Sequence, residues 1–384
     1  MKTKDFIEFI RDLYKTDDFI PLHEPLFDEA DKKAMDDVID STFVSSVGPL
    51  VKEFENKISE FTGSQHAVAV VNGTAALHIA LLLAGVKNND EVLTQSLNFV
   101  ASTNAIHQCN AFPVFIDVDR ANLGMCPKSL KSFLEENCEV RDDGFCWNKS
   151  SNRIIKVCMP MHTFGMPVEM AKLRNVCKRY NLMLVEDAAE SLGSFYGEKH
   201  TGTFGDFGTL SFNGNKIITT GAGGMILTND SEKASLARHL TTTAKVDKEW
   251  FFEHDKIAFN YRMPNMNAAL GISQLDKLQE FLNIKRRIAR MYLQFSESND
   301  YHFIKEPEYG KSNYWLNAFI LDDEDQRDRF LRETNKSLVM TRAAWNPMHT
   351  LSFNKNYQTS SLENTHWLFQ RIVNVPSSAK GFAE

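Results

Sequence analysis

The sequence predicts an α/β fold built on a mainly parallel sheet, followed by a smaller C-terminal domain. Three observations support it. From residue 66 onward, short apolar runs alternate with helix-length stretches, as expected of strand–helix–strand units with helices on both faces of a sheet. The run Leu182-Met183-Leu184-Val185 ends on two acids, Glu186 and Asp187. A buried strand that ends this way places charge at the carboxyl edge of the sheet, where open α/β folds bind ligands. Finally, 384 residues with 43% hydrophobic content can bury a sizeable core, as two domains or as one large domain with an appendage.

Each element has its own justification. The stretch MKTKDFIEFIRDLYK is amphipathic, with Phe6, Phe9, Ile10 and Leu13 on one helical face. Docking on its own protein is the expected use of that face, with membrane-surface binding the alternative. The stretch has no apolar core or cleavage site of a signal peptide, and no part of the chain is long and apolar enough to span a bilayer. Residues 27–61 read as two helices broken at Ser45-Ser46-Val47-Gly48-Pro49. Residues 66–71 read as a strand, Asn72-Gly73-Thr74 as a turn, and residues 75–84 as a helix. A strand feeding a Gly-Thr turn and a helix N-terminus is an anion site. An ordinary turn would look the same, and the glycine spacing is not that of a dinucleotide or P-loop fingerprint.

Residues 91–97 and 112–117 are the next strands. Phe99, between them at the start of a helix, suits either the core or stacking on a planar ring. Residues 130–134 suggest a helix, and residues 135–153 read as a polar, irregular and mobile surface insertion. Residues 154–161 form a fourth strand ending in His162-Thr163-Phe164-Gly165, and His162 there is either structural or near a ligand. Residues 167–180 are a helix leading into the acidic strand. Strands at 208–212 and 225–227 follow, then a helix at 231–240 and an aperiodic stretch at 241–259. Residues 260–267 are a polar loop holding Arg262 and three asparagines, and residues 268–282 are a helix. In the C-terminal part, residues 301–320 have strand character and residues 323–335 helical character.

A net charge of −7 gives no electrostatic support for general nucleic-acid binding. An anionic ligand must therefore be met by local arginines and backbone N–H groups. The six cysteines include no pair at CxxC spacing, which reads as reduced thiols in a cytosolic protein and not as a disulfide framework or a metal site.

The chemistry concentrates in residues 182–228. After Glu186 and Asp187 comes a Gly-rich region, then Ser211, then Lys216 among Asn213, Gly214, Asn215, Thr219 and Thr220. Taken singly, Asp187 could cap a helix and Lys216 could be a solvated loop lysine. The small residues around Lys216 instead let backbone approach a ligand closely. A desolvated lysine can form a Schiff base with an aldehyde, and a carboxylate facing a pyridine nitrogen keeps it protonated. The pair is what pyridoxal phosphate (PLP) requires.

EDAAESLGS, followed by LSFNGNKIITTGAGG, resembles the DegT/StrS-type family of PLP-dependent nucleotide-sugar aminotransferases. The likeness runs from PLHEPLF to NYRMPNMNAALG and more weakly beyond. It implies the fold type I of PLP enzymes, related to aspartate aminotransferase. In that fold a seven-stranded, mainly parallel sheet is joined to a small C-terminal α+β domain. Residues 1–260 would be the N-terminal arm and PLP-binding domain, and residues 261–384 the small domain. Lys216 would be the Schiff-base and catalytic lysine, and Asp187 the partner of the pyridine nitrogen. Ser211, Gly73 and Thr74 would hold the phosphate, and Phe99 would stack on the ring. Glu190, where many members carry Gln, would meet the cofactor hydroxyl. Ala222 stands where many carry an acid. Asn260 would reach the phosphate of the partner subunit's site, making a homodimer with shared active sites. His162, Arg262, and Arg342 and His349 in the loop RAAWNPMH are the implied substrate contacts.

HTFGMPVEM, TGTFGDFG and LTTTAKV, with the motifs above, resemble the branch acting on UDP-linked 4-keto-6-deoxy-N-acetylhexosamines. The implied reaction moves an amino group from L-glutamate to that sugar, giving a 4-amino sugar for surface glycans. Amination at carbon 3 of a 3-keto sugar is the alternative. A non-catalytic PLP-binding regulator is the reading from another class, and the retained Lys216 and Asp187 speak against it.

Overall fold

The computed structural model describes residues 3–299 and 301–382. The helices and strands, in chain order, are α1 (Thr3–Tyr14), α2 (Glu29–Ser41), α3 (Leu50–Thr62), β1 (His66–Val70), α4 (Gly73–Leu83), β2 (Glu91–Gln95), α5 (Val100–Gln108), β3 (Phe112–Ile116), α6 (Pro127–Asn137), β4 (Cys138–Val140), β5 (Cys146–Asn148), β6 (Arg153–Met159), α7 (Met170–Arg179) and β7 (Met183–Asp187). After the small strands β8 (Phe195–Tyr196) and β9 (Lys199–His200) come β10 (Phe207–Ser211), β11 (Gly224–Thr228), α8 (Ser231–Thr241), a hairpin of β12 (Lys245–Val246) and β13 (Glu253–His254), α9 (Asn265–Asp276) and α10 (Leu278–Asn299). The chain ends with β14 (His302–Phe303), β15 (Gly310–Lys311), β16 (Asn317–Ile320), α11 (Glu324–Lys336), β17 (Arg342–Ala343), α12 (Glu363–Phe369) and β18 (Ile372–Val375).

The main sheet runs β1-β11-β10-β7-β6-β2-β3. Every neighbouring pair from β10 to β3 is parallel, and β11 alone runs antiparallel, between β1 and β10. Both faces are buried, as a central parallel sheet requires. Along β1, Val68 and Val70 face a core shared with α4 and α8, while the alternating Ala67 and Ala69 face a core shared with α3 and α9. The expected seven-stranded, mainly parallel sheet is this path. The β4–β5 hairpin extends it to nine strands through β5 and β6.

A second sheet, β14-β16-β18-β17, carries α10 and α11 and forms the small α+β layer. Packing does not follow chain order. Phe6 and Ile10 of α1 are fully buried against this C-terminal core, with Phe6 4.9 Å from Phe330. The apolar face of the first helix thus docks on its own chain. Met1 and Lys2 of that stretch lie outside the described residues. Among the described residues no helix is long and apolar enough to cross a membrane.

Two expectations need correction. Residues 135–153 are not an irregular insertion but a hairpin joined to the main sheet. The fully buried Asn148 ties it down, its Nδ2 donating to Glu91 Oε2 at 2.7 Å and to Gln358 Oε1 at 2.6 Å. Polar residues hid it because its strands are short and one inward side chain is an amide. The single helix expected at 268–282 is two helices abutting at Lys277, and α10 runs on to Asn299. Its buried stripe includes Lys285, whose Nζ donates to Trp315 O at 3.1 Å and Ser377 O at 2.6 Å. Burial pushes that amine down to about 7. A charged residue type within the stripe broke the apolar period that marks such a helix.

Removing the Asn148 amide takes a 2.7 Å donor from the buried Glu91 carboxyl and leaves it Arg153 at 3.9 Å. Asn148→Ala is expected to lower the unfolding free energy by about 1–3 kcal/mol in urea titration, and a loss of a few tenths would refute the anchoring role.

Candidate active site

The site lies at the carboxyl edge of the parallel strands, as the two terminal acids of β7 predict. β7 delivers Asp187, β10 delivers Ser211, and β1 leads through the cap Asn72 into the first turn of α4 at Gly73 and Thr74. Asn72 caps α4 by accepting from Ala75 N at 2.8 Å. The first amides of a helix have no acceptor within it, so those of Gly73 and Thr74 face the site. Lys216 sits on the connection between β10 and β11. That connection is stapled by Phe212 N to Gly223 O at 2.8 Å, Thr220 N to Phe212 O at 3.0 Å and Lys216 N to Asn213 O at 2.9 Å. These elements enclose a cavity of about 360 Å3 lined by Gly73, Thr74, Phe99, Asp187, Glu190, Ser211 and Lys216, with Trp315 and Trp345.

Three titratable groups converge there. Lys216 Nζ lies 3.2 Å from Glu190 Oε1 and 4.0 Å from the centre of the Trp315 ring. Glu190 Oε2 accepts from Phe164 N at 2.9 Å. Asp187 Oδ2 accepts from Ser102 Oγ at 2.6 Å, and its Oδ1 from Ala189 N at 3.2 Å. Burial raises the pKa of Asp187 above the ordinary carboxylate range, against the opposing pull of Ser102, Ala189 N and Lys216. Burial likewise pushes Glu190 up to about 7, although Lys216 opposes it.

Comparison with known proteins decides the family. Residues 25–381 match the DegT/DnrJ/EryC1/StrS aminotransferase family. The chain belongs to that family. It is 34% identical over 361 residues to GDP-perosamine synthase of Escherichia coli O157:H7, covering 94% of this chain and 93% of that protein. With GDP-perosamine synthase of Vibrio cholerae it shares 33% identity over 363 residues, covering 93% and 94%. Its fold matches that of Helicobacter pylori PseC, an aminotransferase of pseudaminic acid biosynthesis, with a TM-score of 0.85 at 23% identity over 94% of each chain. The fold is therefore type I of the PLP enzymes, and the chain is a PLP-dependent sugar aminotransferase.

The residues present fit that cofactor. A Cβ on Gly73 would stand 3.0 Å from Ser211 Cβ, and one on Gly224 would stand 2.4 Å from Asn72 O, so the cradle beside Ser211 exists only with glycine at both places. Among the described residues no hydrogen bond engages Ser211 Oγ, which leaves it available to a phosphate. An amine and a buried carboxyl suited to the other end of such a ring are present in the same cavity as Lys216 and Asp187.

The structure brings Lys216, Asp187, Glu190, Ser211, Gly73, Thr74 and Phe99 together. Asn260 is exposed and does not line the cavity of its own chain. The four substrate candidates do not line it either. His162 is fully buried, accepting from Val168 N at Nδ1 (3.1 Å) and placing Nε2 3.0 Å from Glu186 Oε2. Burial opposes ionisation of Glu186, but His162 and the amides of Gly205 and Gly202 outweigh it and hold the pKa low. Arg262 donates to the buried Glu55 Oε1 at 2.6 Å and to Ala69 O at 2.9 Å, so it holds its own segment against β1. Arg342 donates to Asn335 Oδ1 at 3.0 Å and Thr341 O at 2.9 Å, away from the cavity. His349 Nδ1 bonds Ser96 Oγ at 2.7 Å. Sequence reasoning missed Ser102, Trp315 and Trp345. Ser102 lies three residues after Phe99, one helical turn on, and that spacing was the available signal.

A carboxyl raised from 4.5 to about 7 by folding is protonated on both sides of the transition below the lower value. Its ionisation then opposes folding increasingly as pH rises to the upper value. Glu190→Gln is expected to raise the Tm of the cofactor-free protein by several degrees near pH 8 and by little near pH 5. An equal shift at both pH values would contradict the buried, proton-holding state of Glu190 beside Lys216 and Asp187.

Proposed function

We propose that this aminotransferase transfers an amino group from L-glutamate to a nucleotide-linked 4-keto-6-deoxyhexose, specifically a UDP-linked 4-keto-6-deoxy-N-acetylhexosamine. The product would be a 4-amino sugar for surface glycans, made in the cytoplasm. The observation carrying the reaction is the convergence of Lys216, Asp187 and the Gly73–Ser211 cradle in one cavity. The motifs HTFGMPVEM, TGTFGDFG and LTTTAKV support the UDP-linked acceptor. A GDP-linked acceptor is the second reading, favoured by relatives named for making GDP-perosamine.

In this reading the amides of Gly73 and Thr74 and the hydroxyl of Ser211 would hold the PLP phosphate at the positive end of α4. Asp187, oriented by Ser102, would pair with the ring nitrogen, and Phe99 would line the ring. When bound, PLP supplies an electron sink for the electron pair left as a substrate C–H bond loses its proton. Lys216 Nζ would hold the cofactor through its aldehyde, and the same amine would be the group that moves a proton at the donor and acceptor carbons. Glu190 Oε1, 3.2 Å away and with a pKa near neutrality, can exchange a proton with that amine.

The donor carboxylates and the substrate diphosphate need cationic partners, yet no arginine lines the cavity of the single chain among its described residues. Arg262 is committed to Glu55. This supports a homodimer in which the segment around Asn260 completes the partner's site. The segment just before it exposes Trp250, Phe251, Phe252 and Ile257, each at least 70% accessible, which suits burial against a second copy.

Lys216→Ala is expected to abolish turnover and remove the borohydride-trapped adduct seen by mass spectrometry, while the protein stays folded. Retained trapping elsewhere would refute the lysine assignment. The acceptor is tested by product NMR with glutamate and each candidate UDP- or GDP-linked keto sugar; amination at carbon 3 would overturn the proposed regiochemistry. Mixing Lys216→Ala with Asn260→Ala subunits should restore about a quarter of wild-type activity, since half the dimers are mixed and each mixed dimer holds one intact site. No recovery would refute shared sites.

A further inference from the structure

The loop RAAWNPMH supplies the site with an aromatic wall and no charge. We infer that Trp345 is the specificity-determining residue for the sugar acceptor, the wall against which its hexose ring packs. This rests on the acceptor class proposed above.

The two charged-type residues of the loop act as its anchors. Arg342, on β17, is tied to Asn335 at the end of α11. At the other end, Met348 N donates to Ser96 O at 2.8 Å, His349 Nδ1 bonds Ser96 Oγ at 2.7 Å, and Asn354 Nδ2 donates to Met348 O at 3.1 Å. Ser96 directly follows β2 and lies three residues before Phe99. The loop is thereby pinned to the sheet edge that bears the site, with Trp345 at the cavity.

Trp345 is packed on two sides, 5.1 Å from Phe164 and 6.0 Å from Phe99 between ring centres. Phe164 is fully buried, and its amide holds Glu190. The indole position is therefore set by the same residues that set the catalytic end of the cavity. The other tryptophan of the cavity is already engaged. Trp315 carries Lys216 Nζ over its ring, and its Nε1 donates to Asn215 O at 2.7 Å. Among the described residues no hydrogen bond engages Trp345, so its remaining face and its N–H are the groups this wall offers to a ligand.

The chemistry of the acceptor matches. A 6-deoxyhexose presents ring C–H bonds and a methyl group, which gain by burial against an indole face, while Nε1–H can reach a ring hydroxyl or an acyl oxygen. Glutamate has no ring to lay there, so the wall distinguishes the two half-reactions that share the cavity.

The test uses the PLP-loaded enzyme and follows each half-reaction by cofactor absorbance, glutamate on one side and UDP- or GDP-linked 4-keto-6-deoxy sugars on the other. Trp345→Ala is expected to lower kcat/KM for the sugar at least tenfold, mostly through KM, and to fall at least tenfold harder on the sugar half-reaction than on the glutamate half-reaction. Trp345→Phe should recover most of the loss. Equal damage to both half-reactions, or no loss with the sugar, overturns the inference. A wild-type enzyme that reacts with glutamate but with none of the sugars refutes the acceptor class itself, and the inference with it.

Discussion

One lysine amine shares a cavity with two buried carboxyls, and the rest of the scaffold is arranged to tolerate that. Lys216 stands 3.2 Å from Glu190, while Asp187 is buried behind it with Ser102 as a donor. Such charges are costly to bury unless paired and hydrogen-bonded, so their positions cannot drift without penalty. Both carboxyls respond in the direction burial demands, with raised pKa values, although Lys216 pulls each the other way. A site with this balance favours a ligand that brings a cationic ring nitrogen to one acid and takes the amine into a covalent bond. PLP does both.

The sheet topology makes this arrangement possible. Asp187 needs a parallel strand ending at the carboxyl edge, and Lys216 needs a chain reversal at that same edge. The antiparallel β11 provides the reversal by returning between β10 and β1. It also brings Gly224 against Asn72, where a Cβ would meet Asn72 O at 2.4 Å, so the Lys216 turn and the first turn of α4 are held in contact. Lys216, Asp187 and the Gly73 turn are therefore held by strand ends and turns anchored on one sheet.

Much of this was legible in the sequence, for physical reasons that differ by residue. The strand of Asp187 announced itself because a buried parallel strand must be apolar along its length, and only its end can bear charge. The turn of Lys216 was legible because close approach of backbone to a ligand demands small residues there. The parallel sheet followed from alternation of strand and helix. The β4–β5 hairpin and the length of α10 were not legible, because Asn148 and Lys285 are polar residues in inward positions. Their burial is satisfied by partners far away in sequence, Glu91 and Gln358 for one, Trp315 and Ser377 for the other. Residue type alone cannot reveal such partners.

The same blindness explains why the substrate end was read less well than the cofactor end. The family resemblance implied His162, Arg262, Arg342 and His349 as substrate contacts. In the fold each of these is engaged by the protein: His162 by Glu186, Arg262 by Glu55, Arg342 by Asn335 and His349 by Ser96. Arg262, already paired with the buried Glu55, gains little from a ligand, since breaking that pair leaves a buried charge uncompensated. An aromatic ring has no such prior commitment to break. Recognition at that end of a single chain therefore falls to the indole face of Trp345.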